Sequence, residues 1–455
     1  MKSKTTDIFA NAPVPKAVIS NVIPSIISML MVLVYNLADT FFIGQTKNPY
    51  MVAGVSIATP AFLLFMAVGM LFGIGGTSLI SRLLGEGNEK KAKHTSAFCF
   101  WTGLCIGVVG AVFIIVFAEP VCRVIGASDD TIGYASQYLR IVGLGIPFLI
   151  ISNAFSNIIR AEGHAQTAMA GMIIGNLMNV ALDPLMILVF QWNVAGAAIA
   201  TVLGNVFSAA FYVYHLVFRS KLLSINIREY RVLNGVATGV LMIGVPACLN
   251  SMLMSISNIL VNNQMVRYGD MAVAGLGVAI KVNMIVVMLL IGLGTGIQPL
   301  LGYCFGAGNK KRFLDVLKFS TLLALGMSLV MTVICYSGAE FLVRAFLDDA
   351  DAYEYGFMFA RTYIYSGPIM GILFVFINAI QSMGAALPAL ILNVSRQGLL
   401  YIPILFIFRA VFDNARMLAA AQPVTDYCAA TLAVILFLIA FNKYFKAHDA
   451  QGTEA

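Results

Sequence analysis

Val32-Leu-Val-Tyr-Asn-Leu-Ala-Asp-Thr-Phe-Phe-Ile-Gly44 is an apolar run that carries one acid, Asp39. The apolar segment begins near Ala17, which predicts that Asp39 sits inside a helix long enough to cross a bilayer. A carboxylate in the middle of a membrane helix costs about 3 kcal/mol on insertion scales, so it persists where it faces protein or water and has polar partners. Asp39 therefore reads as a functional residue in a membrane helix.

The remainder of the chain fits that reading. Of 455 residues, 60% are hydrophobic and only 11% charged, with a mean hydropathy of +0.89. A soluble protein would carry about 25% charged residues, so the composition predicts an all-α polytopic membrane protein. Lys2, Lys4, Asp7, Pro13, Pro15 and Lys16 precede a first apolar run too long for a signal-peptide core, so no cleavable signal is expected. The net charge of +7 resides in short loops between apolar runs, which is a topology signal rather than a nucleic-acid patch. The seven cysteines form no C-x-x-C or Cys/His ligand cluster, and indicate neither a disulfide scaffold nor a zinc site.

Twelve spans are read from hydropathy, at about 17–43, 52–81, 94–117, 134–159, 166–190, 194–218, 237–266, 272–303, 314–337, 355–381, 387–409 and 418–442. Alternate connections hold eighteen Lys and Arg residues, among them Lys2, Lys90, Lys91, Arg160, Arg231 and Lys310. The others hold six, including Lys47 and Arg123, together with acids such as Asp348, Asp349 and Asp351. This asymmetry puts both termini in the cytoplasm, and a bacterial-type inner membrane is the expected location. The chain is expected to divide into a tail at 1–16, an amino-terminal six-helix lobe at 17–218, a basic linker at 219–236, a carboxy-terminal lobe at 237–442 and a second tail at 443–455.

The two lobes repeat. Gly85-Glu-Gly-Asn-Glu-Lys-Lys91 recurs 221 residues later as Gly306-Ala-Gly-Asn-Lys-Lys-Arg312. At the same offset Ala53-Gly54 matches Ala274-Gly275, Gly73-Ile-Gly75 matches Gly294-Thr-Gly296, and Asn157 with Gly163 matches Asn378 with Gly384. Pro24 and Asn36 match Pro246 and Asn258 at an offset of 222. Six helices plus six in the same orientation form a parallel repeat about an axis along the membrane normal, an architecture of transporters.

The repeat departs from symmetry where chemistry is expected. Two acids are singled out inside apolar runs, Asp39 and Asp183, both in the first half; the seventh helix offers Ser255, Asn258 and Asn262 instead. Asn176, Asn179 and Asp183 share one helical face by their spacing of three and four, as do Ala197, Thr201 and Asn205, and Asn153 with Asn157. With Asn36 and Asp39 these stripes predict a wet chamber in the first lobe, although the Asn and Thr residues can equally serve as interhelical hydrogen-bond glue. Two nearby carboxylates in low dielectric cannot both stay ionised cheaply, so the site is suited to a proton or, through its oxygens, a hard cation such as sodium. Pro24, fifteen residues before Asp39, marks a potential hinge in the first helix.

Lys281, Arg361 and Arg396 also fall inside spans. Lys281 is read as a partner for a first-lobe acid or a filter on cationic cargo, and the two arginines as snorkelling or carbonyl-binding groups. The 23 Met and 31 Phe residues suit an adaptable cavity but are also ordinary membrane-helix filling. Gly73-Ile-Gly-Gly76 and Gly292-Leu-Gly-Thr-Gly296 are read as close-packing positions within helices. No Gly-Lys-Ser/Thr occurs in the chain, so no ATP site is expected.

Asp39 in its Tyr-Asn-Leu-Ala-Asp-Thr-Phe-Phe-Ile-Gly context, Asn179-x-x-x-Asp183-Pro184 and the two Gly-x-Gly-Asn loops together resemble the multidrug and toxic compound extrusion (MATE) family. The resemblance runs from about residue 17 to 442. It implies two six-helix lobes in a V shape and cation-coupled antiport of amphipathic, often cationic compounds by a monomer in the lipid bilayer, without cofactor beyond the coupling proton or sodium. It also implies a cation site at Asp39, Asn179, Asp183, Ala197 and Thr201, with Tyr138 matching an accompanying tyrosine. One branch of the family adds an acidic pair in the carboxy lobe. The seventh and tenth helices here lack acids in their apolar runs, which narrows coupling to the first lobe. Alternatives are a lipid-linked saccharide flippase of related fold, which twelve spans and the Asn179/Asp183 motif argue against, and an intramembrane enzyme using Asp39 and Asp183, for which no Gly-x-Gly-Asp context exists.

Overall fold

A computed structural model describes residues 4–44, 49–347 and 349–452; Lys2, Lys47 and Asp348 lie outside the described residues. Among the described residues eleven helices are long and apolar enough to cross a membrane, and a bent pair supplies a twelfth. They are α1 (Val14–Gly44), α2 (Pro49–Gly85), α3 (Glu89–Ile125), α4 (Ile132–Ala161), α5 (Ala165–Pro184, continued by a π-helical turn at Leu185–Val189) and α6 (Asn193–Phe218). The second set is α7 (Val236–Met265), α8 (Asp270–Gly306), α9 (Lys310–Ser337), α10 (Ala350–Ile364 with Gly367–Ser382), α11 (Ala386–Val394 and Tyr401–Phe412 around a π-helical turn at Ser395–Leu399) and α12 (Ala415–Gly452). The spans read from hydropathy therefore stand, most of them with longer ends. Hydropathy misses the break in α10, whose halves meet at 50°. Pro368 opens the second half, where a residue without an N–H is best tolerated.

The repeated Gly-x-Gly-Asn loops have a physical basis. Gly87 (φ 76°) and Gly308 (φ 66°) adopt left-handed backbone that ends α2 and α8. The next residue caps the following helix: Asn88 Oδ1 accepts from Lys91 N at 3.1 Å, and Asn309 Oδ1 from Arg312 N at 3.0 Å. Such a cap is worth about 1 kcal/mol. The helix-interior glycines are packing positions. A Cβ on Gly73 would meet Asn157 and the Asn153 carbonyl, and one on Gly294 would meet Asn378, the repeat-related asparagine.

Two compact units emerge, and each borrows a segment from the other half of the sequence. One is built on Ile27–Cys248; the other combines Phe9–Ile26 with the chain from Leu249 onward. In the first unit Gly75 and Gly244 bring α2 and the start of α7 together, so a side chain on Gly75 would strike the Val240 carbonyl. In the second, Gly292 and Gly296 receive Ile26 and Val22 of α1. The hand-over falls two residues after Pro24 in α1 and two after Pro246 in α7. A cut of the sequence at the linker separates the units less cleanly than the linker's polarity suggests.

The linker is not loose. Trp101 Nε1 donates to the Ile225 carbonyl at 2.9 Å, Tyr230 stacks on Phe98, and His94 Nδ1 meets the Glu229 carbonyl at 2.8 Å. Arg160, counted by the sequence reading among the loop cations, is instead 1% exposed in the last turn of α4, where Nη1 donates to Asn157 Oδ1 at 2.9 Å.

Candidate functional site

Within the first unit, α1, α4, α5 and α6 converge on a polar cluster. Asn179 Nδ2 donates to Thr201 Oγ1 at 3.3 Å, and Thr201 Oγ1 donates onward to the Ala197 carbonyl at 3.0 Å. Spacing of four residues on α6 makes that last bond possible. Asn205 repeats the pattern, donating to the Thr201 carbonyl at 2.9 Å while its Oδ1 accepts from Ser152 Oγ at 3.2 Å. Tyr138 is buried, and its hydroxyl and that of Tyr35 both approach Thr201.

Asp39 and Asp183 lie close enough to feel each other's charge. Asp183 is completely buried, and among the described residues neither of its oxygens accepts a hydrogen bond. Asp39 Oδ1 and Asn179 Oδ1 are likewise buried without a partner among the described residues. Four acceptor oxygens of this cluster are thus buried with no donor to satisfy them among the described residues. Leaving such atoms bare is costly, by about 1–3 kcal/mol for a neutral group and more for a charged one. A proton, a cation or water must answer them.

Beside the cluster lies a cavity of about 110 Å³, lined by polar groups that include Asn153, Asn176, Asn179, Thr201, Asn205 and Tyr35. Asn153 on the fourth helix, Asn176 and Asn179 on the fifth, and Thr201 and Asn205 on the sixth thus line one cavity; Asn157, Asp183 and Ala197 are not part of its lining. Asn153 and Asn157 donate to the carbonyls of Leu149 and Asn153 one turn earlier on the same helix, so these bonds run within α4 and not across to a neighbouring helix. Asn36 is exposed and donates to the Val32 carbonyl. Asn258 (exposed) and Asn262 (half-buried) belong to the second unit. Tyr35 was missed, although its position four residues before Asp39 puts it on the same helix face.

Asp39 and Asp183 are joined by a further acid inside a span, which the sequence-based expectation of two did not include. A third, Asp426 on α12, is fully buried in the second unit, where Arg396 Nε donates to its Oδ1 at 3.3 Å and Gln422 Nε2 at 3.2 Å. Its apolar surroundings in sequence are the same signal that marked Asp39. Arg396 does not snorkel: it pairs with this acid and lies over the Phe374 ring at 5.1 Å. Arg361 sits over the rings of Tyr336 and Phe357 at 4.6 and 4.3 Å rather than on carbonyls. Lys281 is exposed, 5.5 Å from the Phe346 ring, and no ion pair involves it among the described residues.

Comparison with known proteins bears on what such a site serves. A family model described as MatE matches residues 24–185 and again 246–407, so the internal repeat is recovered as two copies of one family unit. The multidrug export protein MepA of Staphylococcus aureus (strain MSSA476) is 30% identical over 440 residues, covering 96% of this chain and 97% of its own. MepA of Staphylococcus saprophyticus is 28% identical over 439 residues, with the same coverage. The solved outward-facing conformation of a multidrug resistance MATE family transporter of the MOP superfamily superposes at a TM-score of 0.92 with 23% identity, covering 98% of this chain and all of its own.

Proposed function

The chain belongs to the MATE family, and from that premise we propose that it is a multidrug export transporter driven by antiport of a proton or sodium ion. Its class is a membrane transporter, not an enzyme. The cargo is proposed to be drugs, as the name of its relatives in Staphylococcus suggests, and of the amphipathic, often cationic kind that the family resemblance implies. The residues proposed to hold the coupling ion are Asp39, Asn179, Asp183 and Thr201, with the Ala197 carbonyl and Tyr138 at its edge.

One observation carries this reading: the four donor-less oxygens of Asp39, Asn179 and Asp183. An all-oxygen set with two carboxylates suits a hard cation or a proton. The adjoining cavity of about 110 Å³ supports an ion's role over a cargo's. It has room for several waters at about 10–15 Å³ of accessible volume each, and falls short of the ~300 Å³ at which drug-sized sites begin.

In the proposed cycle, ion entry neutralises the Asp39–Asp183 pair and changes the packing of α1, which carries Asp39 and bends most easily at Pro24, where a backbone donor is missing. Cargo is then released outward. Orientation follows the Lys and Arg asymmetry, with both termini cytoplasmic in a bacterial inner membrane. Pro24→Ala tests the bending step: undiminished export at equal protein level rejects it. The deciding experiment is transport by proteoliposomes under imposed proton or sodium gradients. Export that follows one gradient, and that Asp39→Asn abolishes, supports the proposal; export indifferent to both refutes it.

A further inference from the structure

Away from that site, at the corner where α4 turns into α5, three side chains meet that neither transport nor the family assignment accounts for. Glu162 follows α4, His164 precedes α5, and His215 stands in the last turn of α6. One ligand atom from each lies within 4.8 Å of the other two. Glu162 is 2% and His215 5% exposed.

The carboxylate of Glu162 is divided between two tasks. Its Oε1 accepts from Ser220 Oγ at 2.8 Å and from the backbone N–H groups of Leu222 at 3.2 Å and Lys221 at 3.3 Å, gripping the first residues after α6. Among the described residues its Oε2 has no hydrogen-bond partner, and neither has His215 Nε2. These two buried, unsatisfied atoms face each other at 3.6 Å. That is long for a hydrogen bond, whose usual span is about 2.7–3.2 Å. It is close to the ~3.4 Å that separates neighbouring ligands in a tetrahedral site with bonds of about 2.0–2.1 Å. The His164 ring stands against the His215 ring with centroids 5.1 Å apart, edge to face. Burial, more than any neighbour, holds His164 below the usual imidazole range; Glu162 opposes that and His215 adds to it.

We infer that Glu162, His164 and His215 form a binding site for one divalent first-row transition-metal ion of the zinc class. Two imidazoles and one carboxylate suit such an ion, whereas magnesium and calcium take sets made of oxygen alone. Water completes the fourth position. Since Glu162 already holds Ser220–Leu222, the bound ion ties the α4–α5 corner, the end of α6 and the start of the linker into one knot. The cysteine pattern could not reveal this site, because no cysteine takes part.

The test uses the full-length protein in detergent, stripped with EDTA and then given Zn²⁺ alone. Wild type should retain about one zinc per chain after desalting and melt at a higher temperature with zinc than without. His164→Gln and His215→Gln should each weaken binding by more than about tenfold, the loss that removal of even an outer-sphere partner produces. A wild type that retains no zinc, leaving only a His215–Glu162 ion pair, overturns the inference; so does equal retention by both variants. Should the variants fail to fold, Co²⁺ bound to wild type decides: intense tetrahedral d–d absorption supports the site, and its absence overturns it.

Discussion

Arg396 donates through Nε to Asp426 Oδ1 at 3.3 Å, joining two almost fully buried side chains of opposite charge on α11 and α12. Removing one member of such a pair leaves an uncompensated charge and costs about 3–5 kcal/mol, whereas replacing both with apolar residues of similar volume is often neutral. Asp426→Leu is therefore expected to lower the melting temperature sharply. Arg396→Met with Asp426→Leu is expected to recover most of it. A double variant that melts no higher than Asp426→Leu alone would show that the pair serves something other than mutual charge compensation.

At the proposed coupling site the two acids are expected to differ in kind from Asp426. Asp39→Asn and Asp183→Asn each remove an acid that forms no ion pair among the described residues, so protein level and melting temperature should hold while export fails. Cells carrying either variant should accumulate an ethidium-like cation as fully as cells without the transporter. Accumulation as low as with wild type would detach these acids from transport.

Gly75 is expected to be intolerant. A methyl group there would drive into the Val240 carbonyl, a backbone atom that cannot rotate away. Overpacking of this kind costs about 1–3 kcal/mol, so Gly75→Ala should reduce the melting temperature and the yield of folded protein. Gly277, beside which a Cβ meets nothing, supplies the control. Equal losses at both positions would mean that contact with α7 is not the reason for the glycine.

Much of this protein is legible in its sequence, for reasons that are local. Apolar runs of about 20 residues have one solution in a bilayer, so the spans follow directly. Asn176 and Asn179 on α5 and Thr201 and Asn205 on α6 line one cavity because helical spacing fixes which residues share a face. The bend in α10 and the pairing of Arg396 with Asp426 depend on what lies opposite each residue in three dimensions. The sequence shows both charges but not their contact, thirty residues apart. Glu162, His164 and His215 are harder still, since His215 comes from a helix end more than fifty residues beyond Glu162 and joins no recognisable motif.

The exchange of segments between the two halves has a consequence for how the chain can be cut. A polypeptide ending in the linker lacks residues 236–248, which complete its own unit, and carries 9–26, which complete the other. Each fragment made alone should be degraded. Made together in one cell, they should reassemble as a nicked transporter that co-purifies through a tag on either piece and still lowers drug accumulation. Continuity of the chain at 219–236 is then dispensable, because the halves are already stitched together by their first helices. Stable, separately folded fragments would contradict that stitching.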